Sequence, residues 1–421
     1  WRNKSIDESC IFKIALITRV KGKYMKRVFR KAKKEITTFI IFLISFLYIN
    51  SYSQPKVELL FQSRLPFINA TNDLVIFNSK LYIKSGNDLL IGDILDDSSV
   101  LIHPDYLRIN NLIDLCNQDS ILIATTNQEL IIFEITESIL PDEKGRIERN
   151  KLSSIFKCDK NIYVVYNENR FFRLNLENLQ SPTFIENSIS FENTDITWIE
   201  SFENLLYVAT FDSGIFCIDV SDFSDPKIIA RIYSELVFKK IIRKDDILIA
   251  LFEDIQTDWE FGKEKYDSGI IIYSISESGI LDKISEHRIS PGSGDDIVVT
   301  DRYLYLLSGY YDLGDLVYTS NRVFSFDIIN PRSPILLDSL SIEVFTYNNF
   351  YWPQMMVWDR DHLWIAQWDG IVQVNTANPN SLIHCREIDY GGIARNIDVD
   401  SKFIAVTDDY FGFHILDRSV P

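Results

Sequence analysis

No motif in this sequence spells out a reaction. Its 421 residues include five cysteines and five histidines. Cys10, Cys116, Cys158, Cys217 and Cys385 form no C-x-x-C pair, which excludes the usual zinc and dithiol spacings. His103, His287, His362, His384 and His414 are not spaced as a metal pair, and no H-E-x-x-H is present. G-x-S-x-G, Walker and G-x-G-x-x-G motifs are also missing. The stretch Gly292-Ser293-Gly294-Asp295-Asp296 resembles a phosphate loop only superficially. No helix follows it and its two acids would repel phosphate, so it reads as a turn. Asp295-Asp296 and Asp408-Asp409 offer oxygen ligands for Ca²⁺ but lack the D-x-D-x-D-G spacing of a calcium loop. No catalytic residue, metal or cofactor is therefore expected. A glycosidase needs two carboxylates facing each other across a pocket, and sequence cannot pair so many acids.

Positive charge is scarce beyond the N-terminal segment. Residues 1–53 hold 12 of the 43 Lys and Arg, whereas the rest of the chain holds 31 basic and 57 acidic side chains. A body this acidic repels phosphate backbones, so nucleic acid is excluded as the expected partner. Acidity also serves solubility. Within the basic segment, Met25 opens a positive stretch, Ile36 to Ile49 is uncharged and mostly apolar, and Asn50-Ser51-Tyr52-Ser53-Gln54 is small and polar. That order is the order of a secretory signal peptide. The apolar run is shorter than the ~20 residues of a membrane span, so no span is expected in the mature chain; an uncleaved anchor is the alternative. The expected organisation is an upstream, non-native extension at 1–24, a signal peptide at 25–53 and one domain at 54–421, placed outside the cytoplasm.

Past residue 54, short runs of Ile, Leu, Val, Phe and Tyr alternate with clusters of Asn, Asp, Gly and Ser. This is strand-and-turn punctuation. One run recurs eight times: Leu81-Tyr82-Ile83, Ile121–Ala124, Ile162–Val165, Leu206–Ala209, Ile247–Ala250, Leu304–Leu307, Leu363–Ala366 and Phe403–Val406. The spacings are 40, 41, 44, 41, 57, 59 and 40 residues. A second run follows each time, such as Ile215–Val220. Eight units with a basal period near 41 fit the four-stranded blades of a propeller. The fold expected is all-β, an eight-bladed β-propeller, with seven blades as the runner-up. The last unit stops after its third strand, and Pro55-Lys56-Val57-Glu58-Leu59-Leu60 echoes the outer strand Pro226–Arg231. The N-terminal segment Val57–Leu65 is therefore expected to complete the eighth blade and close the ring.

The segment Asp212–Pro226, Asp-Ser-Gly-Ile-Phe-Cys-Ile-Asp-Val-Ser-Asp-Phe-Ser-Asp-Pro, resembles the LVIVD-repeat family of bacterial propellers. Phe326–Pro334 is a second copy, and Ala394–Val399 with Phe403–Val406 is similar to the family's first half. Blades 4, 6, 7 and 8 match, while 1, 2, 3 and 5 have lost the Gly or the Asp-Pro turn. The resemblance implies an extracytoplasmic propeller and carries no catalytic residues.

Three insertions lengthen the basal unit: Glu253–Ser268, Gly309–Asn321 and Ser341–Pro353. In an up-and-down blade the second-to-third loop and the link to the next blade emerge on one face. All three should therefore crowd one side of blades 5 to 7. They bring Trp259, Phe261, Tyr266, Tyr310, Tyr311, Tyr318, Tyr347, Phe350, Tyr351 and Trp352 together with Asp254, Asp258, Glu260, Asp312 and Asp315. Aromatic planes suit sugar faces and protein hot spots, and acids hold hydroxyls or basic groups. The function expected is a secreted or periplasmic, non-catalytic binding scaffold for a protein or glycan, including a role in an envelope complex. A polysaccharide-acting enzyme with a pocket on that face is the alternative.

Overall fold

A computed structural model describes residues 59–62, 73–258, 263–310, 319–344 and 355–417, apart from 86–87, 96–99, 104–106, 159, 188, 192–193, 291, 368–369, 390–393, 400–402 and 409–411. Residues 1–58, with the expected leader, lie outside the described set. The unit Val57–Pro421 is all-β, with strands in eight sheets and no helix among the described residues. No described helix is long and apolar enough to cross a membrane.

Blade 1 holds β2 (Asp73–Phe77), β3 (Lys80–Ser85), β4 (Asp88–Ile94) and β5 (Val100–Ile102), with the short β6 (Leu107–Arg108) also on β4. Blade 2 is β7 (Leu112–Gln118), β8 (Ile121–Thr126), β9 (Glu129–Glu134) and β10 (Asp142–Glu148). Blade 3 is β11 (Leu152–Cys158), β12 (Asn161–Tyr166), β13 (Arg170–Asn175) and β14 (Thr183–Ile185). Blade 4 is β15 (Ile196–Phe202), β16 (Leu205–Thr210), β17 (Ile215–Asp219) and β18 (Lys227–Ile232). Blade 5 is β19 (Val237–Lys244), β20 (Ile247–Asp258), β21 (Lys263–Ile275) and β22 (Leu281–Ile289). Blade 6 is β23 (Ser293–Val299), β24 (Tyr303–Tyr310), β25 (Thr319–Asp327) and β26 (Ile335–Val344). Blade 7 is β27 (Met355–Asp359), β28 (His362–Gln367), β29 (Gly370–Asn375) and β30 (Ile383–Asp389). Blade 8 joins β31 (Ala394–Val399), β32 (Phe403–Asp408) and β33 (Gly412–Asp417) to β1 (Leu59–Gln62) from the N-terminal side. β1 runs antiparallel to β33, with Leu59 opposite Leu416 and Gln62 opposite His414. The expected closure is thus the observed one.

The recurring run is apolar on both faces because each blade is sandwiched by two others. The core accordingly divides into clusters that each straddle one pair of neighbouring blades. Tyr207, Ala209 and Cys217 of blade 4 pack with Phe238, Leu248 and Ile271 of blade 5. Phe403, Phe413 and Ile415 of blade 8 pack with Leu74, Leu81 and Ile83 of blade 1, which closes the ring. The buried tyrosines also latch blades by their hydroxyls. Tyr207 Oη donates to the Gly279 carbonyl of the next blade at 3.2 Å, and Cys217 Sγ reaches the same oxygen at 3.0 Å. Burial pushes the Cys217 thiol up to about 12, so it behaves as core rather than as a nucleophile. No disulfide joins any two of the four described cysteines. Replacing Tyr207 with Phe keeps the ring and loses one hydrogen bond. A cost of about 1 kcal/mol is expected in urea unfolding.

The Asp-Val-Ser turn works through side-chain acceptors. Asp219 Oδ1 takes the Ser221 amide at 2.9 Å, and Asp222 Oδ1 takes the Ser224 amide at 3.0 Å. The Ser221 amide and hydroxyl hold the Asp219 carboxyl below its ordinary range, and Ser224 does the same for Asp222. Gly214 has φ 90°, and a Cβ there would meet the Ile232 carbonyl oxygen at 1.8 Å. Only glycine fits. The same paired acceptors recur as Asp327 and Asn330 in blade 6 and as Asn375 and Asn378 in blade 7. Blade 3, which reads as drifted, keeps them as Asn175 and Asn178. An amide oxygen accepts as a carboxylate does, so the turn survives where its spelling does not.

Two sequence readings are corrected. Ser293–Val299 is the inner strand β23, not a turn. The insertions of blades 5 and 6 are not loops throughout: β20 continues to Asp258 opposite Lys263, and β24 continues to Tyr310 opposite Ser320. β26 likewise runs on to Val344. The hydrophobic period ends near Glu253, but the antiparallel ladder carries on from Asp254 opposite Asp267 to Asp258 opposite Lys263.

Candidate functional site

Of the residues expected to form a site, Trp259, Glu260, Phe261, Tyr311, Asp312, Asp315, Tyr318, Tyr347, Phe350, Tyr351 and Trp352 lie outside the described residues. Asp258, Tyr266 and Tyr310 lie in β20, β21 and β24, where their backbone alone is described. What the structure does describe is the part of blades 5 to 7 from which those segments leave.

Inner strands carry a β-bulge there. In β19 it lies between Phe238 and Lys240, and in β23 between Gly294 and Asp296. Blades 2, 3, 4 and 8 carry bulges near the same end of their inner strands. A bulge re-aims a side chain. In blades 5 and 6 the re-aimed residues are Lys239 and Asp295, of opposite charge. Lys239 Nζ lies 3.1 Å from Glu253 Oε2. Ser293 Oγ donates to Asp295 at 3.1 Å.

The residues just after the bulges form a second chain. Lys240 Nζ sits 5.2 Å over the Trp198 ring of blade 4 and 2.7 Å from Asp296 Oδ1 of blade 6. Asp296 Oδ2 accepts the Met356 amide of blade 7 at 2.8 Å. Asp114 does the same for Ile155, and Asp398 for Ile76. One carboxylate therefore ties two inner strands across a blade boundary. The sequence holds a trace of this: Asp114, Trp198, Lys240, Asp296 and Asn396 each stand eight residues before the apolar residue near the start of the next strand, Leu122, Leu206, Leu248, Leu304 and Ile404. That offset, rather than any motif, was the available signal.

Asp295 stands out among the described carboxyls. Burial pushes its carboxyl up to about 7. Lys239 and the Ser293 hydroxyl oppose the shift, and Glu253 adds to it. A carboxyl held part-protonated near neutrality costs stability, and such groups gather at functional sites. Further round, Asn321 Nδ2 reaches Gln367 Oε1 at 3.3 Å, and Gln367 Nε2 reaches Glu387 Oε1 at 3.2 Å. Glu253, Asp267, Ser268, Ser293, Asp296, Ser308, Asn321 and Gln367 are all buried polar groups at this end of blades 5 to 7. Among the described residues no cluster of His, Cys, Asp and Glu has the arrangement of a metal site.

No family model matches the chain, and no curated protein matches it in sequence. Solved structures match its fold. Saccharomyces cerevisiae Sqt1 superposes with a TM-score of 0.61 at 9% identity, over 85% of this chain and 99% of that one. BamB from Moraxella catarrhalis gives 0.54 at 11% identity, over 83% and 94% of the two chains. Citrobacter koseri AztD gives 0.53 at 12% identity, over 80% and 90%. At such identities the likeness is one of fold: this chain shares the β-propeller architecture with bacterial and eukaryotic proteins alike.

Proposed function

We propose that this protein is an extracytoplasmic, non-catalytic binding scaffold of the LVIVD-repeat type, whose recognition surface lies on the second-to-third-strand face of blades 5 to 7. The observation that carries the reading is the pair of hairpins β20–β21 and β24–β25, which outgrow the basal blade at one end. Beneath them the ring changes from apolar packing to the charged seam of Lys239, Glu253 and Asp295. A rigid scaffold with elongated segments on one face is where binding groups usually reside. The aromatic residues of those segments and of the link between blades 6 and 7, Trp259, Tyr311 and Trp352 among them, supply contact area for a protein or a glycan. The basic, apolar and polar order between Met25 and Gln54 supports export.

The test is a pull-down from envelope extract beside a glycan array, repeated with Trp259→Ala, Tyr311→Ala and Trp352→Ala. Ligand capture is expected to fall in at least one variant with the melting temperature unchanged. Undiminished capture in all three moves recognition elsewhere.

One observation favours an enzyme acting on polysaccharide as the second reading: Asp295, poised near neutral pH with Glu253 close enough to raise it further. A glycosidase assigns unlike protonation states to two carboxyls in this way. Release of reducing ends that disappears in Asp295→Asn would select it.

A further inference from the structure

A cavity of about 460 Å³ opens on the opposite face of the same three blades. It is lined by Ile242, Arg243, Lys244 and Asp245 of blade 5, Val299, Thr300 and Asp301 of blade 6, and Trp358 of blade 7. These residues lie at the ends of β19, β23 and β27, where the inner strands turn into the second strands. The cavity is therefore the mouth of the central channel on the first-to-second-strand side.

Register explains how three remote segments meet. Arg243 faces Leu248, Val299 faces Leu304 and Trp358 faces Leu363, so all three occupy one layer of the ring. In the other blades the layer holds Ile76, Asn117, Lys157, Ser201 and Val399. Trp358 is the one aromatic member of that layer. It remains 39% exposed although a tryptophan gains much by burial. Its indole Nε1 donates to Thr376 Oγ1 at 3.3 Å, which holds the part-exposed ring in place. Arg243 is pinned as well: its guanidinium lies 3.6 Å over the Phe202 ring, and Nε donates to the Asp245 carbonyl at 3.0 Å. Thr300 is spent on its own turn, accepting the Tyr303 amide at 3.0 Å.

The lining thus combines a held aromatic plane, the apolar Ile242 and Val299, two cations and two carboxylates, Asp245 and Asp301. Its volume lies in the range of about 300–1,000 Å³ usual for small-molecule sites. Balanced charge gives no net field to draw an anion or a cation. It does present donors and acceptors side by side, which suits hydroxyls because each both donates and accepts. An aromatic plane beside such groups matches the apolar C–H face and hydroxyl edge of a sugar ring. We propose that the channel mouth lined by Trp358, Arg243, Lys244, Asp245 and Asp301 binds a neutral saccharide stacked on Trp358. The site lies on the face opposite to the proposed recognition surface and does not rest on that reading.

The experiment is titration of the full propeller with cellotetraose, maltotetraose and chitotetraose, followed by calorimetry and tryptophan fluorescence, with tetragalacturonate as the anionic comparison. Saturable binding of a neutral tetrasaccharide is expected. Trp358→Ala and Asp301→Ala should each weaken it by about tenfold or more. Trp358→Phe, which keeps a ring, should retain most of it, and Tyr233→Ala, at an exposed ring outside the cavity, should leave it unchanged. Matching melting curves separate loss of the site from loss of the fold. Absence of binding by all three neutral sugars overturns the proposal, and so does a preference for tetragalacturonate. Binding that survives Trp358→Ala but is lost in Trp352→Ala also overturns it.

Discussion

Removing residues 55–65 is expected to lower the melting temperature and turn a monodisperse propeller into an aggregating one. β33 would then be the outer edge of blade 8, with its amides and carbonyls opposite Leu59–Gln62 unpaired. Each lost backbone hydrogen bond is worth about 1 kcal/mol, so a penalty on the order of 3 kcal/mol follows from the ladder alone. The larger effect is aggregation. Phe413, Ile415 and Leu416 are fully buried in the intact ring, and they would sit in an open edge strand able to pair with another chain. Differential scanning calorimetry and size-exclusion chromatography read both effects. A synthetic 55–65 peptide added in trans should restore part of the stability by adding back the strand. A truncated protein that melts and elutes like the intact one would show that β1 is dispensable to the ring.

Two adjacent carboxylates should respond in opposite directions. Asp296→Ala removes the partner of Lys240 and the acceptor of the Met356 and Ile297 amides. Breaking a largely buried pair leaves a charge without compensation, and a loss of about 3 kcal/mol is expected. Asp295→Asn should stabilise instead. Because the folded carboxyl titrates near 7 and the unfolded one near 4, the folded state holds the extra proton between those values. The wild-type protein therefore loses stability as pH rises from about 4 to 7, and the penalty is complete above 7. Three pH units correspond to about 4 kcal/mol. The Asp295 side chain keeps some solvent contact, which brings the expected gain to about 1–2 kcal/mol. Urea unfolding at pH 4.5 and pH 8 should show the two proteins alike in acid and the variant ahead in base. A variant that is less stable at pH 8 would mean that the charge of Asp295 is needed by Lys239 more than it is penalised by burial. A binding or catalytic defect accompanying the stability gain would mark Asp295 as a functional group kept at a cost.

Much of the architecture was legible in residue order. Eight apolar runs at a period near 41, each followed by a second run, specify four-stranded blades because a blade packed on two sides must be apolar on both. The unfinished last unit and the Pro55–Leu60 echo specified the closing strand for the same local reason: an open outer edge demands a partner. Asp219 and Asp327 accept their turn amides inside the two segments already readable as copies of one repeat, Asp212–Pro226 and Phe326–Pro334. The Asn175 turn lies in a blade that reads as drifted, because the chemistry is shared while the letters differ.

The rest needed the ring. Lys240 meets Asp296, Asp296 meets Met356, and Arg243 shares a cavity with Val299 and Trp358 only because strand register places one residue per blade in each layer around the channel. Each such partner is a whole blade away along the chain, and no local period encodes which residue will stand opposite. The bulges made this harder still, since one extra residue re-aims Lys239 and Asp295 without altering the apolar pattern around them. Sequence alone pointed to eight blades over seven and to the strand that closes them, because those depend on repeated local burial. Tertiary structure decided where charge is buried and which aromatic is left open, because those depend on side chains from different blades meeting across the channel.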